Sequence, residues 1–224
     1  MKVLYCALSF ASLLCTASCA RLPESPPVSP AAERAREVEQ FKTWKDVRQQ
    51  HVVMQRYDYS CGAAAMATLM RYYFAHDVTE RDVLLEILDH IGEEDTKKRK
   101  KEGFSLLDLK QYAERQGYQA VGVDLELEAL QQLAGPVLVY LESDGYKHFA
   151  ILRGIREDRV FLADPSRGNL SVPISRFVQE WSGITLVLGK EGFGAPLEHP
   201  LAVDTQGPLR PELQAARRSL YLRP

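Results

Sequence analysis

The sequence predicts an α+β fold, with helices in the first half of the chain and a mainly antiparallel sheet in the second. Apolar residues recur at helical spacing up to about residue 116, and short runs rich in Val, Ile, Leu, Tyr and Phe follow. Turn signals separate these runs, at Gly135-Pro136, Ser143-Asp-Gly145 and Arg156-Glu-Asp158. Short turns join antiparallel strands, whereas parallel strands need long crossovers. Helices first and sheet second is the order typical of α+β proteins.

The first twenty residues carry the features of a signal peptide. Lys2 gives a basic start, residues 3–14 are apolar, and small residues lead to a cleavage site before Arg21. The apolar run is shorter than the roughly 20 residues that a membrane span requires. Lipidation at Cys19 is the alternative, but Thr16 stands where lipoprotein sites usually carry Leu. Either processing predicts an exported, periplasmic protein.

The rest of the chain divides into a linker, one domain and a tail. Residues 21–33 are proline-rich and are predicted to be a disordered linker. A mature chain of about 200 residues suits one well-cored domain or at most two small lobes, and we place the domain at residues 34–189. A charged, alanine-rich surface helix is expected over residues 31–48. Residues 190–224 are rich in Gly and Pro, so we predict a loosely attached tail.

The helical half contains a buried helix and several amphipathic ones. The run from Cys61 to Phe74 is almost entirely apolar, and Ser60 before it is a good N-cap. Helix-start patterns follow at Thr79, for a helix to about residue 91, and at Ser105, for one to about residue 116.

A charged segment separates those two helices. Residues 92–102 are acidic at first and then strongly basic, with the run Lys97–Lys101. We predict a solvated loop here, because blocks of charge usually are solvated. The alternative is a flexible patch that meets a partner or an anionic membrane surface.

The second half supplies the strands. We predict strands at residues 118–123, 136–141, 148–155, 159–163 and 184–188, and helices at residues 125–133 and 174–181.

Cys61 is the strongest candidate for chemistry. A thiol in the first turn of a helix lies among unpaired N–H groups and the positive end of the helix dipole, which favour the reactive thiolate. The other cysteines, Cys6, Cys15 and Cys19, all lie in the first twenty residues. Their removal would leave Cys61 as a lone thiol in a compartment where disulfides persist. A buried, inert cysteine is the alternative interpretation.

His148 and Asp164 are the candidates for a base and its orienting group. His148 begins one predicted strand and Asp164 ends the next, with the turn Arg156-Glu-Asp158 between them. Adjacent antiparallel strands would therefore place both residues at the same edge of the sheet. Taken singly, His148 could be a solvated strand end and Asp164 a turn residue before Pro165.

Composition and motifs exclude several other classes. A formal net charge of −2 provides no general attraction to nucleic acid. The sequence contains no Gly-rich phosphate loop, paired CxxC or HExxH motif, and His51, His76, His90 and His199 lack metal-ligand spacing. We therefore expect no metal and no cofactor.

Four motifs together resemble peptidase family C39, the papain-like double-glycine leader peptidases. They occur in the family's order and span roughly residues 52–188: Gln55-x5-Cys61-Gly62-x-Ala64, Gly103–Leu109, Tyr146-x-His148-Phe149 and Asp164-Pro165. The resemblance implies a papain-like cysteine peptidase fold. It also implies that Cys61 is the nucleophile, His148 the base and acid, Asp164 the orienting group, and Gln55 an oxyanion donor. Gly103–Leu109 is expected to be structural.

The resemblance extends most closely to standalone exported members of the family, including those encoded with functional-amyloid secretion systems. It implies cleavage of a secreted protein or leader after Gly or Ala. Partners would be amyloid subunits or other secretion components, with a location near a membrane as an option. Three alternatives stay open: an idle peptide-binding module, a thiol acyltransferase on the same fold, and a redox-sensing thiol.

Overall fold

The computed structural model describes residues 43–143 and 145–203. The predicted signal peptide and linker, most of the first predicted helix and residues 204–224 lie outside the described residues. The described helices are α1 Trp44–Gln49, α2 Cys61–Tyr72, α3 Glu80–His90, α4 Glu93–Glu102, α5 Leu106–Arg115, α6 Leu127–Gln131 and α7 Ile174–Glu180. The strands are β1 Gln119–Asp124, β2 Val137–Ser143, β3 Tyr146–Arg156, β4 Arg159–Asp164, β5 Gly168–Pro173 and β6 Trp181–Gly189.

The strands form a six-stranded sheet in the order β1-β6-β2-β3-β4-β5, and every described pair is antiparallel. The α+β prediction is therefore confirmed. The sequence analysis missed β5, whose residues Asn169 and Ser171 are polar and obscure the strand pattern. It also could not place the last strand, β6, between β1 and β2. This insertion depends on contacts between residues distant in sequence.

The sheet is covered on both faces, so its central strands bury both sets of alternating side chains. Leu138 on β2 and Phe149 on β3 belong to a core that includes α2, α3 and α5. Their neighbours Val139 and Ala150 belong to a second core that includes Phe177 of α7. Burial on both faces explains why β2 and β3 are continuous apolar runs rather than alternating ones.

Helix α2 is the central element of the first core, and residues 61–70 are all buried. Its small residues allow close packing. A Cβ added at Gly62 would lie 3.0 Å from Leu109 Cδ1 and 3.2 Å from Phe149 Cδ2. Glycine at position 62 thus lets α5 and β3 both approach the helix end that carries Cys61.

The charged segment of residues 92–102 is a helix, so the prediction of a loop was wrong. Its acidic residues occupy the first turn and its basic residues the last, which complements the helix dipole. It ends at Gly103, whose φ of +83° suits glycine. Helix α4 buries none of its residues, but Arg99 holds it to the start of α5 through an ion pair with Asp108 at 2.5 Å.

The prediction of a loosely attached tail was wrong for residues 190–203. Leu201 is fully buried in the first core, and the rings of Phe193 and His199 pack against Tyr73 at the end of α2. Arg153 of β3 donates to the backbone oxygens of Leu201 and Ala202, at 3.0 and 2.9 Å. The Gly- and Pro-rich composition concealed this attachment, which a buried leucine, two ring contacts and backbone carbonyls provide.

Among the described residues, no helix has both the length and the apolar character needed to cross a bilayer.

The packing of residues 190–203 predicts a large effect of truncating Leu201. Leu201→Ala should lower the free energy of unfolding by about 2–5 kcal/mol, because it removes a buried side chain and leaves a cavity. Leu197, 96% exposed in the same segment, is the matched control. Leu197→Ala should change the free energy by less than about 0.5 kcal/mol. Urea denaturation measures both, and equal stabilities would show that the segment is not part of the cooperative unit.

Candidate active site

The candidate site lies where the N-terminus of α2 meets one edge of the sheet. Cys61 is the first residue of α2, His148 lies near the start of β3 and Asp164 ends β4. His148 Nε2 lies 3.0 Å from Asp164 Oδ1, and the Cys61 thiol lies close enough to the imidazole to shift its pKa. The structure thus brings the three predicted residues together. All three are buried, with relative exposures of 5%, 4% and 0%.

Asp164 is held by a dense set of hydrogen bonds. Its Oδ1 accepts from the backbone N–H and the hydroxyl of Ser166 and from the backbone N–H of Arg167, at 2.7–2.9 Å. Its Oδ2 accepts from the Arg167 guanidinium. Burial opposes ionisation of this carboxyl. The hydrogen bond and charge of His148 outweigh burial, with help from Ser166 and Arg167, and hold its pKa well below the usual range. Asp164 is therefore an anion.

The pKa of His148 is shifted in the opposite direction, upwards. Burial by itself lowers the pKa of the imidazole, but its hydrogen bonds to Asp164 and Cys61 and their charges raise this pKa to about 9. The ring therefore carries a proton at neutral pH. Tyr146 stacks on the imidazole, with ring centroids 5.8 Å apart, and limits its orientation.

Ser60 occupies the N-cap position of α2, but the prediction that its side chain caps the helix was wrong. Its hydroxyl lies 2.5 Å from Glu80 Oε1 and 2.8 Å from the backbone oxygen of Tyr57. The N–H groups of the first turn of α2 therefore donate no hydrogen bond to the Ser60 hydroxyl. They include the N–H of Cys61, which points its donor toward the end of the helix where the thiol lies.

Glu80 is a structural partner of this site that the sequence analysis missed. It is almost fully buried at the start of α3, and its Oε1 accepts from the backbone N–H of Arg56 at 2.8 Å as well as from Ser60. One carboxylate thus holds both ends of residues 56–60, the segment immediately before Cys61. A glutamate in the first turn of a helix usually complements the dipole at the surface, so the sequence carried no signal for this role.

Gln55 lies immediately before that segment and makes hydrogen bonds to Tyr57 and Pro165. Its backbone N–H donates to Pro165 O at 2.9 Å, which ties it to the turn after Asp164. Its side-chain Nε2 donates to Tyr57 O at 3.1 Å. A carboxamide nitrogen has two hydrogens, so one donor is left. Its role as an oxyanion donor stays a prediction.

A cleft of about 780 Å³ opens beside Cys61. One part of its wall is aromatic, with Phe104, Tyr140 and Phe149, and another is the C-terminal half of α4. Tyr146 borders this cleft and also a smaller recess of about 230 Å³ that reaches His148. The candidate site is thus flanked by open space on two sides, as an extended peptide chain would require.

The family model for the Peptidase C39 family matches residues 49–192, so the chain belongs to this family. It is a cysteine peptidase. One relative is a probable functional amyloid protease, FapD, of Pseudomonas aeruginosa. The two are 34% identical over 163 residues, which cover 72% of this chain and 71% of the relative.

Two solved structures share the fold. A double glycine motif protease from an AMS/PCAT transporter, in complex with the leader peptide, superposes with a TM-score of 0.51 and 25% identity. The match covers 63% of this chain and 94% of that one. The peptidase domain of Streptococcus ComA has a TM-score of 0.53 at 18% identity, covering 62% of this chain and 98% of that one. The papain-like fold implied by the motifs is confirmed.

The raised pKa of His148 makes stability depend on pH in a definite direction. Its folded-state pKa of about 9 lies above the ordinary value of 6.5, so the folded protein binds this proton more tightly than the unfolded chain does. The resulting stabilisation is complete below pH 6.5 and is lost as the pH rises towards about 9. Over this range we expect the free energy of unfolding of the wild type to fall relative to that of His148→Gln.

Urea denaturation at a series of pH values measures this difference. His76→Gln is the matched control, because His76 lies beyond the other end of α2. It should keep the wild-type pH dependence. An identical pH dependence in wild type and His148→Gln would contradict the proton on His148 being held by Cys61 and Asp164.

Proposed function

We propose that this chain is an exported peptidase that cleaves a secreted protein or leader after small residues and supports the secretion or assembly of functional amyloid. The observation that carries the proposal is the position of the buried His148 imidazole between the Cys61 thiol and the Asp164 carboxylate. A nucleophile, a base and an orienting group in this order form the set that covalent acyl transfer needs. An idle peptide-binding module would not need it.

In the proposed mechanism, the proton of Cys61 is held by His148 and the thiolate attacks a peptide carbonyl. The Asp164–Nε2 contact leaves Nδ1 for the thiol side of the ring. The backbone N–H of Cys61 and the Gln55 amide would bind the oxyanion, at about 3 kcal/mol per donor. His148 then gives its proton to the leaving amine, and water hydrolyses the thioester.

Cleavage after small residues is supported by the walls of the cleft. The aromatic rings of Tyr140 and Phe149 line it together with Cys61. Bulky side chains at the cleaved position would compete with these rings for space. Gly or Ala would not.

The N-terminal sequence supports export, and the relative supports the amyloid system. Residues 1–20 carry the signal-peptide pattern, and Cys19 offers lipidation as an alternative route to a membrane-proximal location. The Pseudomonas aeruginosa relative is described as a functional amyloid protease. We therefore place the protein in the periplasm, with amyloid subunits or other secretion components as substrates.

The test of this function is proteolysis of exported amyloid subunits, with cut sites mapped by mass spectrometry. Cys61→Ala should stay folded by circular dichroism but lose cleavage, and stoichiometric iodoacetamide labelling of Cys61 should abolish it equally. His148→Ala should lose nearly as much, because a base and its nucleophile act as one unit. Asp164→Asn should stay folded but leave His148 poorly oriented.

Cleavage by Cys61→Ala at the wild-type rate would show that this cysteine is not the nucleophile. Release of products joined to an added amine, instead of products hydrolysed by water, would identify the protein as an acyltransferase.

The oxyanion role predicts a specific kinetic effect for Gln55. Gln55→Ala should lower kcat by about 10²–10³, because one transition-state donor is removed. KM should change little, since the donor acts mainly on the developing charge. Gln116→Ala is the matched control, because the Gln116 amide donates to Glu86 instead. Unchanged kcat in Gln55→Ala would contradict the oxyanion role. Gln55 would then have a structural role only, through its contacts with Tyr57 and Pro165.

A further inference from the structure

Three lysines of α4 face the cleft that contains Cys61. Lys98, Lys100 and Lys101 line it, together with Arg99 of the same helix and Lys147 of β3. The carboxylates that line the same cleft are those of Asp58 and Glu102. The cleft therefore carries an excess of positive charge, although the whole chain has a formal net charge of −2.

The charges of α4 have one possible use inside the protein, which is to stabilise the helix itself. Acidic residues in the first turn and basic residues in the last turn complement the helix dipole. That explanation accounts for the order of charges along the helix. It does not account for the fact that the lysines line the cleft. Among the described residues, Arg99 has an ion pair with Asp108, and the structure shows none for Lys98, Lys100 or Lys101.

The packing of α4 points to a role in the cleft rather than in the core. The helix buries no residue, so it contributes little to the hydrophobic core. The Arg99–Asp108 pair nevertheless fixes it to the start of α5, and Gly103 returns the chain to the core at Phe104. What the helix supplies at that position is a wall of ammonium groups beside the thiol.

We propose that α4 selects substrates that carry an acidic segment close to the cleaved bond. The inference rests on the proposed peptidase function and adds a class of substrate to it. Carboxylate side chains in the substrate would meet Lys98, Lys100 and Lys101 while the scissile bond lies at Cys61. A peptide is favoured over an anionic membrane because these lysines line the same cleft as the thiol. A membrane surface would need them on an outward, convex face.

Two synthetic peptides test the proposal on the full chain. They share a central Gly-Gly and differ only in whether the flanking residues are Glu or Gln. Binding to the Cys61→Ala protein is measured by fluorescence anisotropy, and cleavage by wild type as kcat/KM. We expect the Glu peptide to be preferred about tenfold at low salt, with the preference reduced at high salt because exposed charges are screened.

The variants assign this preference to α4. Replacing Lys98, Lys100 and Lys101 together by Gln should make binding and kcat/KM equal for the two peptides. Replacing Lys45, Lys97 and Lys110 together by Gln is the matched control, because these lysines do not line the cleft. This control removes the same charge and should keep the preference for the Glu peptide.

Equal binding of the two peptides by the wild-type cleft would overturn the proposal, and so would a preference that survives in the cleft triple variant. Sedimentation with phosphatidylglycerol vesicles separates the membrane alternative. Loss of vesicle binding in the cleft variant, with no peptide preference in the wild type, would assign the lysines to a membrane surface. Preference for the Glu peptide without Cys61-dependent cleavage would support the acidic ligand and contradict the peptidase proposal.

Discussion

The buried negative charge of Asp164 is the constraint on which the site depends. A carboxylate with no solvent exposure is costly unless donors surround it. Its donors come from Ser166 and Arg167 in the following turn and from His148 on the neighbouring strand β3. The same turn holds Gln55 through Pro165 O. Satisfying this one charge therefore orients the imidazole and anchors the chain that leads to Cys61.

Helix α2 positions the Cys61 thiol. Its buried first ten residues place the thiol at a fixed depth, and Gly62 allows β3 to approach closely enough for His148 to meet it. Glu80 fixes the segment before the helix by binding Arg56 N–H and Ser60. Because Ser60 is used in this way, the helix end stays uncapped by its hydroxyl. A site that has to bind a developing oxyanion gains from free N–H groups at that position.

Helix α4 and residues 190–203 show how segments without a large apolar face take a defined place. One ion pair between Arg99 and Asp108 positions α4. The buried Leu201, the ring contacts of Phe193 and His199, and two carbonyl contacts to Arg153 position the C-terminal segment. Such segments add little to the core. They shape its surface instead, and α4 becomes a charged wall of the cleft.

The sequence by itself determined the fold class, the nucleophile candidate and its partners. Hydrophobic periodicity distinguished α2 from β2 and β3, and strand order placed His148 and Asp164 at one edge, because antiparallel neighbours return to the same edge. Tertiary structure alone decided the use of Ser60 by Glu80, the strand status of the polar β5, the helix at residues 93–102 and the burial of Leu201. Ser60 and Leu201 depend on partners distant in sequence. Strand β5 depends on its pairing with β4, and α4 on the ion pair between Arg99 and Asp108. Local pattern describes what a segment prefers, whereas a buried carboxylate or a free carbonyl elsewhere in the fold decides what it contacts.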